Sequence, residues 1–201
     1  MTAGVILAGG RSTRFEGGDK AVCDLAGRPM IRHVADRLES VVDELVVNCR
    51  AEQVDPIATA LDGLDPQFAV DREADEGPMA GIATGLAAVD AEYAAVVACD
   101  MPFVDPEFLA YLRERADDCE AAVPRPDDWF QTTQAVYHAT AMQEACEAAL
   151  TEGAHKIIEP LFDLDYTVVE GSEIERHTTG PTFRNVNTRE ELATAARRLS
   201  E

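Results

Sequence analysis

Lysine is nearly missing: of 201 residues only Lys20 and Lys156 carry it, within a total of seventeen Lys plus Arg. Against 38 acidic residues the balance is −21, which excludes a nucleic-acid surface or an anionic membrane as the expected partner. Long apolar runs are also lacking; none approaches the roughly 20 residues that a membrane helix needs. No basic leader or cleavage site precedes the first apolar run, so a cytoplasmic location is expected. Five cysteines (Cys23, Cys49, Cys99, Cys119 and Cys146) are odd in number and scattered. They show neither CxxC nor Cys/His metal spacing, which points to reduced thiols. The four histidines pair with no Ser or Cys in a triad-like pattern, and G-x-S-x-G is absent, so covalent catalysis has no support. Acid excess with so little lysine matches a surface suited to a high-salt cytoplasm, where a screening length of about 3 Å at 1 M makes self-repulsion tolerable.

What is present is strand and helix in alternation. Hydrophobic content of 46% in a chain of this length suits one domain, residues 1–201, with a sizeable core. Strand-like runs occur at Val5–Leu7, Glu44–Cys49, Phe68–Val70, Tyr93–Cys99, Ala121–Val123, Gln134–Tyr137 and Tyr166–Val169. Helical patterns lie between them: Met30, Val34 and Leu38 recur at helical spacing with Pro29 in the first turn. Others follow Asp55-Pro56, Gly77-Pro78 and Asp105-Pro106, and one spans Ala139–Leu150. Thr188 and Glu191 make a capping box for a last helix. The expectation is α/β: a three-layer, mostly parallel, Rossmann-like sheet with helices on both faces. In such sheets ligands bind at the carboxyl ends of the strands.

Three polar groups fall just after predicted strands. The first is V-I-L-A-G-G-R-S-T-R-F-E-G-G-D-K, Val5 to Lys20. Gly9 and Gly10 let backbone N–H groups approach an anion closely, and Arg11, Arg14 and Lys20 supply fixed cations. It fits neither a Walker A motif nor G-x-G-x-x-G, and reads as a phosphate cradle for a nucleoside triphosphate. The second is Asp100, which is either a Mg²⁺ ligand beside substrate phosphates or a turn residue before Met101-Pro102. The third is Asp71 with Gly77–Gly81: either a helix N-terminus near an anion or base edge, or a loop closing on itself.

With these residues placed, the chain resembles the molybdenum cofactor guanylyltransferases, within the wider nucleotidyltransferase fold of the nucleotide-sugar pyrophosphorylases. The resemblance spans essentially the whole chain. It is carried by L-A-G-G-x-x-x-R-x-x-x-x-D-K at Leu7–Lys20, G-P-M-A-G at Gly77–Gly81, C-D-M-P-F at Cys99–Phe103 and F-R-N-V-N-T-R-E-E-L at Phe183–Leu192. It implies that Leu7, Ala8, Gly9 and Gly10 hold the nucleotide of GTP through their backbone, and that Arg14 and Lys20 contact its phosphates. Asn48 and Asp71 would lie on the nucleoside side, and Asp100 would bind Mg²⁺. Asn185 and Asn187 would face the pterin or complete the metal shell.

The implied reaction moves GMP from GTP to molybdopterin with Lys20, Arg14 and Asp100 as its catalytic groups. Implied partners are the two substrates, with transient contact to molybdopterin-handling proteins or apo-molybdoenzymes. One departure stands out: where the family often has Gln-Pro-Leu before a small-residue strand, this chain reads Gln131-Thr132-Thr133-Gln134-Ala135-Val136-Tyr137. Alternatives within the class are cytidylyl transfer to molybdopterin and guanylyl transfer to a cobinamide phosphate or a phospholactate. Outside it stand a non-catalytic nucleotide-binding module and, within the wider fold, a sugar-nucleotide pyrophosphorylase.

Overall fold

The apolar run around Val5 forms β1 (Thr2–Leu7), the middle of a sheet whose neighbours are supplied by later runs of the same kind. In the computed structural model, residues 1–10, 18–71, 77–154 and 156–200 are described. A small hairpin of β2 (Asp24–Leu25) and β3 (Arg28–Pro29) follows β1. The other strands are β4 (Glu44–Cys49), β5 (Gln67–Val70), β6 (Tyr93–Ala98), β7 (Ala121–Arg125), β8 (Gln134–His138) and β9 (Tyr166–Glu170). With β1 they form one seven-stranded sheet in the order β5-β4-β1-β6-β8-β7-β9.

Register decides which side chains share a face. Val5 lies beside Val46 and Val96, and Ile6 beside Val47 and Val97. Successive residues of a strand point to opposite faces, so these two triplets feed two separate cores. Under the Ile6 face pack α1 (Met30–Glu39), α2 (Val54–Ala60), α4 (Pro106–Arg115) and α6 (Ser172–His177). Under the Val5 face pack α3 (Pro78–Leu86) and α5 (Ala139–Thr151). Strands buried on both sides read as continuous apolar runs, which is why Y-A-A-V-V-A shows no alternation. The three-layer α/β expectation is therefore met. No helix among the described residues is long and apolar enough to cross a membrane.

The sheet departs from a run of βαβ units at one place. β8 is antiparallel to both β6 and β7, because residues 126–133 return the chain as a hairpin loop rather than through a helix. Pro29 also differs from expectation. Its φ of −56° and ψ of 141° belong to the β2–β3 hairpin, so it flanks α1 instead of opening it.

A third apolar cluster joins Leu25, Met30 and Phe103 to Val186 and to Ala195 of α7 (Arg189–Leu199). This cluster carries the end of the chain back across the strand ends, and Val186 N donates to Asp100 O at 2.9 Å. All five cysteines are free thiols, as their scatter predicts.

Candidate active site at the strand ends

Leu7 is level with Asn48 on one side and Ala98 on the other, so β1, β4 and β6 finish together. Ala8 N donates to Asn48 O at 2.8 Å and Cys99 N to Leu7 O at 3.0 Å, which carries the strand alignment one residue further. The polar residues that follow these strands therefore open onto one edge.

Lys20 stands at the centre. Asp19 accepts from Ala21 N at 3.0 Å and so caps the 3-10 turn Lys20–Val22. From that turn the Lys20 ammonium reaches Asp100 Oδ2 at 2.6 Å and Asn187 Oδ1 at 2.9 Å, across 80 and 167 residues of sequence. Asp100 Oδ1 accepts from Asn185 Nδ2 at 3.1 Å. Asn187 is fixed in turn by the capping box of α7, in which its N–H and that of Thr188 both donate to Glu191 Oε2. These backbone bonds, that from Asn187 first, hold the Glu191 carboxyl below its usual range. Four residues selected from sequence thus meet in one cluster.

Asp100 does lie in the turn that follows β6, where Met101 N donates to Ala98 O at 3.1 Å, but it caps no helix. Its carboxylate is taken by Lys20 and Asn185, and the cap of α4 is Asp105, whose Oδ1 accepts from Glu107 N and Phe108 N. The Lys20 and Asp100 side chains are only 13% and 12% exposed. The Asp100 and Asn187 oxygens already surround a cation, the Lys20 ammonium, so the donor set suits a hard divalent ion. Among the described residues no group of three or more His, Cys, Asp or Glu could hold a metal. An ion here would rest on one carboxylate plus substrate oxygens, the usual habit of Mg²⁺.

The second cluster is Asn48, Asp71 and Gly9. Asn48 Nδ2 donates to Asp71 Oδ1 at 2.6 Å and to Ala69 O at 3.2 Å. A Cβ on Gly9 would lie 2.5 Å from Asp71 Oδ2, and one on Gly81 would lie 2.6 Å from Asn48 Oδ1. Both glycines are therefore required by close approach, Gly81 so that α3 can settle over Asn48. Gly77, with φ of 86°, turns the chain into α3. Residues 72–76 lie outside the described residues, as do Arg11, Arg14 and Gly17, so the expectation for Arg14 falls outside them too.

Burial raises the Asp71 carboxyl above its usual 3.8, with the Asn48 donor and the Arg50 charge partly offsetting it. Folding thus disfavours the ionised form. The stability this group contributes is complete below pH 3.8 and is lost as pH rises through its folded value. Asp71→Asn keeps an acceptor for Asn48 and removes that cost. By calorimetry at pH 7 its Tm should match or exceed that of the wild type, by up to about 2 °C. A fall of several degrees would contradict the electrostatic account.

Three residues that sequence reasoning passes over also line this edge. Gln53 donates through Nε2 to Ala8 O at 3.0 Å and to Asp19 Oδ2 at 2.6 Å, and Arg50 donates through Nη1 to Gly9 O. Asp19 enters the sequence reading only as a letter of the motif. The one available signal is position: Arg50 and Gln53 closely follow β4, where the strand-end rule would include them. Within the departing stretch, Gln134 Oε1 is buried with no hydrogen-bond partner among the described residues. Gln134 is fully buried and donates through Nε2 to Thr182 Oγ1 at 2.7 Å, in the 3-10 turn just before Asn185.

Residues 4–166 match the MobA-like NTP transferase domain. The chain belongs to that family. Within the MobA-like family it is 54% identical over 197 residues to a probable molybdenum cofactor guanylyltransferase of Natronomonas pharaonis, covering 98% of each chain. It is 41% identical over 190 residues to the protein of the same name from Haloferax mediterranei, covering 94% of this chain and 90% of that one. Among solved structures it resembles the molybdopterin-guanine dinucleotide biosynthesis protein A of Archaeoglobus fulgidus. There the TM-score is 0.82 at 27% identity, covering 100% and 99% of the two chains. The family match ends before Asn185 and Asn187, whereas these near-full-length likenesses extend over them.

Proposed function

We propose that this MobA-like transferase moves the GMP unit of GTP to the terminal phosphate of molybdopterin, or of its molybdenum-bound form, giving the guanine dinucleotide cofactor. The observation that carries this reading is Lys20 bridging Asp100 and Asn187. It joins the glycine-loop wall to the C-terminal wall in a single two-substrate site. The chain is read as one domain acting in the cytoplasm, with its product passed to molybdopterin-handling proteins or apo-molybdoenzymes.

An acceptor phosphate oxygen attacks the α-phosphorus of GTP, the bond from that phosphorus to the bridging oxygen of the β-phosphate breaks, and pyrophosphate leaves. The acceptor oxygen is already anionic, so no strong base is needed, in keeping with the three described histidines. His33 Nε2 donates to Leu25 O, His138 caps α5 and His177 stacks on Tyr111. Catalysis rests on holding two anions in line and neutralising charge at the α-phosphate. Leu7 to Gly10 present backbone to the nucleotide, Asn48 and Asp71 take its nucleoside side, and Lys20, with Arg14, takes its phosphates. Asp100 would hold Mg²⁺, with Asn187 and Asn185 close to that carboxylate, and the ion would supply further neutralisation of phosphate charge.

The test is incubation with each of the four NTPs, Mg²⁺ and molybdopterin, scoring pyrophosphate and dinucleotide. GTP should give both products, and chelation should abolish them. Product from CTP in preference to GTP, or with a different phosphorylated acceptor, would replace the reading with a sibling activity. Nucleotide binding without pyrophosphate release would leave a non-catalytic module.

A further inference from the structure

Gln53 is 2% exposed and ends the 3-10 turn Ala51–Gln53 that follows β4. Burying an amide is costly unless its donors and acceptor find partners, and here the oxygen and both hydrogens do. Nε2 serves Ala8 O at 3.0 Å and Asp19 Oδ2 at 2.6 Å, while Oε1 accepts from Arg50 N at 3.0 Å. Ala8 immediately precedes Gly9, and Asp19 immediately precedes Lys20. One side chain therefore ties both stems of the glycine loop to the β4–α2 connection. Arg50 adds a tie one residue on, at Gly9 O.

These ties set the direction of the peptides. In a planar trans peptide the C=O of one residue and the N–H of the next point opposite ways, and the described chain holds no cis bond. With Ala8 O turned to Gln53 and Gly9 O turned to Arg50, the N–H groups of Gly9 and Gly10 face away from that connection. A Cβ on Gly10 would meet nothing within 4 Å among the described residues, so they leave space there for a ligand. We propose that Gln53, assisted by Arg50, is a positioning residue that aims these two N–H groups at the nucleotide phosphates and keeps Lys20 in register with them. It does so without touching the nucleotide. This rests on the glycine loop being the phosphate cradle.

Gln53→Glu is nearly isosteric but sets a carboxylate against the Ala8 carbonyl and the Asp19 carboxylate, replacing two donors with none. Outer contacts of this kind typically cost about 10–100-fold in ligand affinity or activity. The expected result is a Kd and KM for GTP raised by about that factor, with the KM for molybdopterin within about twofold of the wild type. Adding Asp19→Asn restores a donor facing the introduced carboxylate and still offers Ala21 N an acceptor, so GTP affinity should recover in the double variant. If Gln53→Glu does not fold, Gln53→Asn, whose amide can reach only one stem, allows the same comparison.

Equal rises in both KM values without recovery in the double variant would mark a purely structural residue and overturn the proposal. GTP binding by Gln53→Glu that matches the wild type, while Lys20→Met loses pyrophosphate release, would overturn the proposal alone. If Lys20→Met also releases pyrophosphate at the wild-type rate, the phosphate-cradle reading beneath it falls as well.

Discussion

Lys20→Met is expected to release pyrophosphate about 10²–10³-fold more slowly than the wild type while keeping its fold. The substitution keeps an unbranched stem one atom shorter and removes the charge together with its two hydrogen bonds. In the folded chain that charge sits on Asp100 and Asn187 at the sheet's edge, outside the three apolar clusters. Removing one partner of a pair this little exposed costs up to about 3–5 kcal/mol, so melting should fall by roughly 10 °C with the chain still folded below it. The effect on rate arises because an ammonium aimed at developing phosphate charge acts most strongly in the transition state, where such contacts are worth about 3–4 kcal/mol. Lys20→Arg should rescue little, since a planar fork does not replace a compact point charge between two oxygens. Pyrophosphate release and a thermal melt on the same preparation check both halves. Near-wild-type release would refute the role of Lys20.

The second large effect is on stability and comes from charge. Seventeen basic residues cannot pair one-to-one with 38 acidic ones, which leaves at least 38 − 17 = 21 carboxylates without a cation of their own. At low salt these repel across roughly 10 Å or more, whereas at 1 M the range falls to about 3 Å. Folding concentrates the charges, so screening favours the folded chain. A melting temperature higher by roughly 10 °C in molar KCl than at low salt is expected, equivalent to a few kcal/mol at about 2–4 °C per kcal/mol. A midpoint that does not move between the two would show that the acidic surface is not a salt adaptation.

Much of this arrangement was legible because it depends on local chemistry. E-L-V-V-N-C forms a strand over the same six residues that its β-branched run suggests, and Asp105-Pro106 and Thr188–Glu191 cap helices as their types require. Lys20, Asn48, Asp71 and Asp100 were visible as polar residues at strand ends. What escaped depends on long-range placement. α6 follows Gly171 with only six residues, too short for periodicity to show. The reversal of β8 hangs on a loop whose direction no local pattern encodes. Gln53 looks in sequence like any polar residue near the start of a helix. Its burial against Ala8 and Asp19 appears only once β1 and β4 are aligned. Asn187 entered the site by resemblance alone, and its meeting with Lys20 was not foreseen, since it depends on α7 packing against the β2–β3 hairpin.

The most direct test of the account follows the phosphorus atoms. Protein supplied with molybdopterin, Mg²⁺ and GTP labelled at either the α- or the γ-phosphate should place the α-label in the pterin dinucleotide and the γ-label in pyrophosphate. With Lys20→Met both should slow together. Label from the γ-phosphate in the pterin product, or from the α-phosphate only in free GMP, would contradict guanylyl transfer at this site.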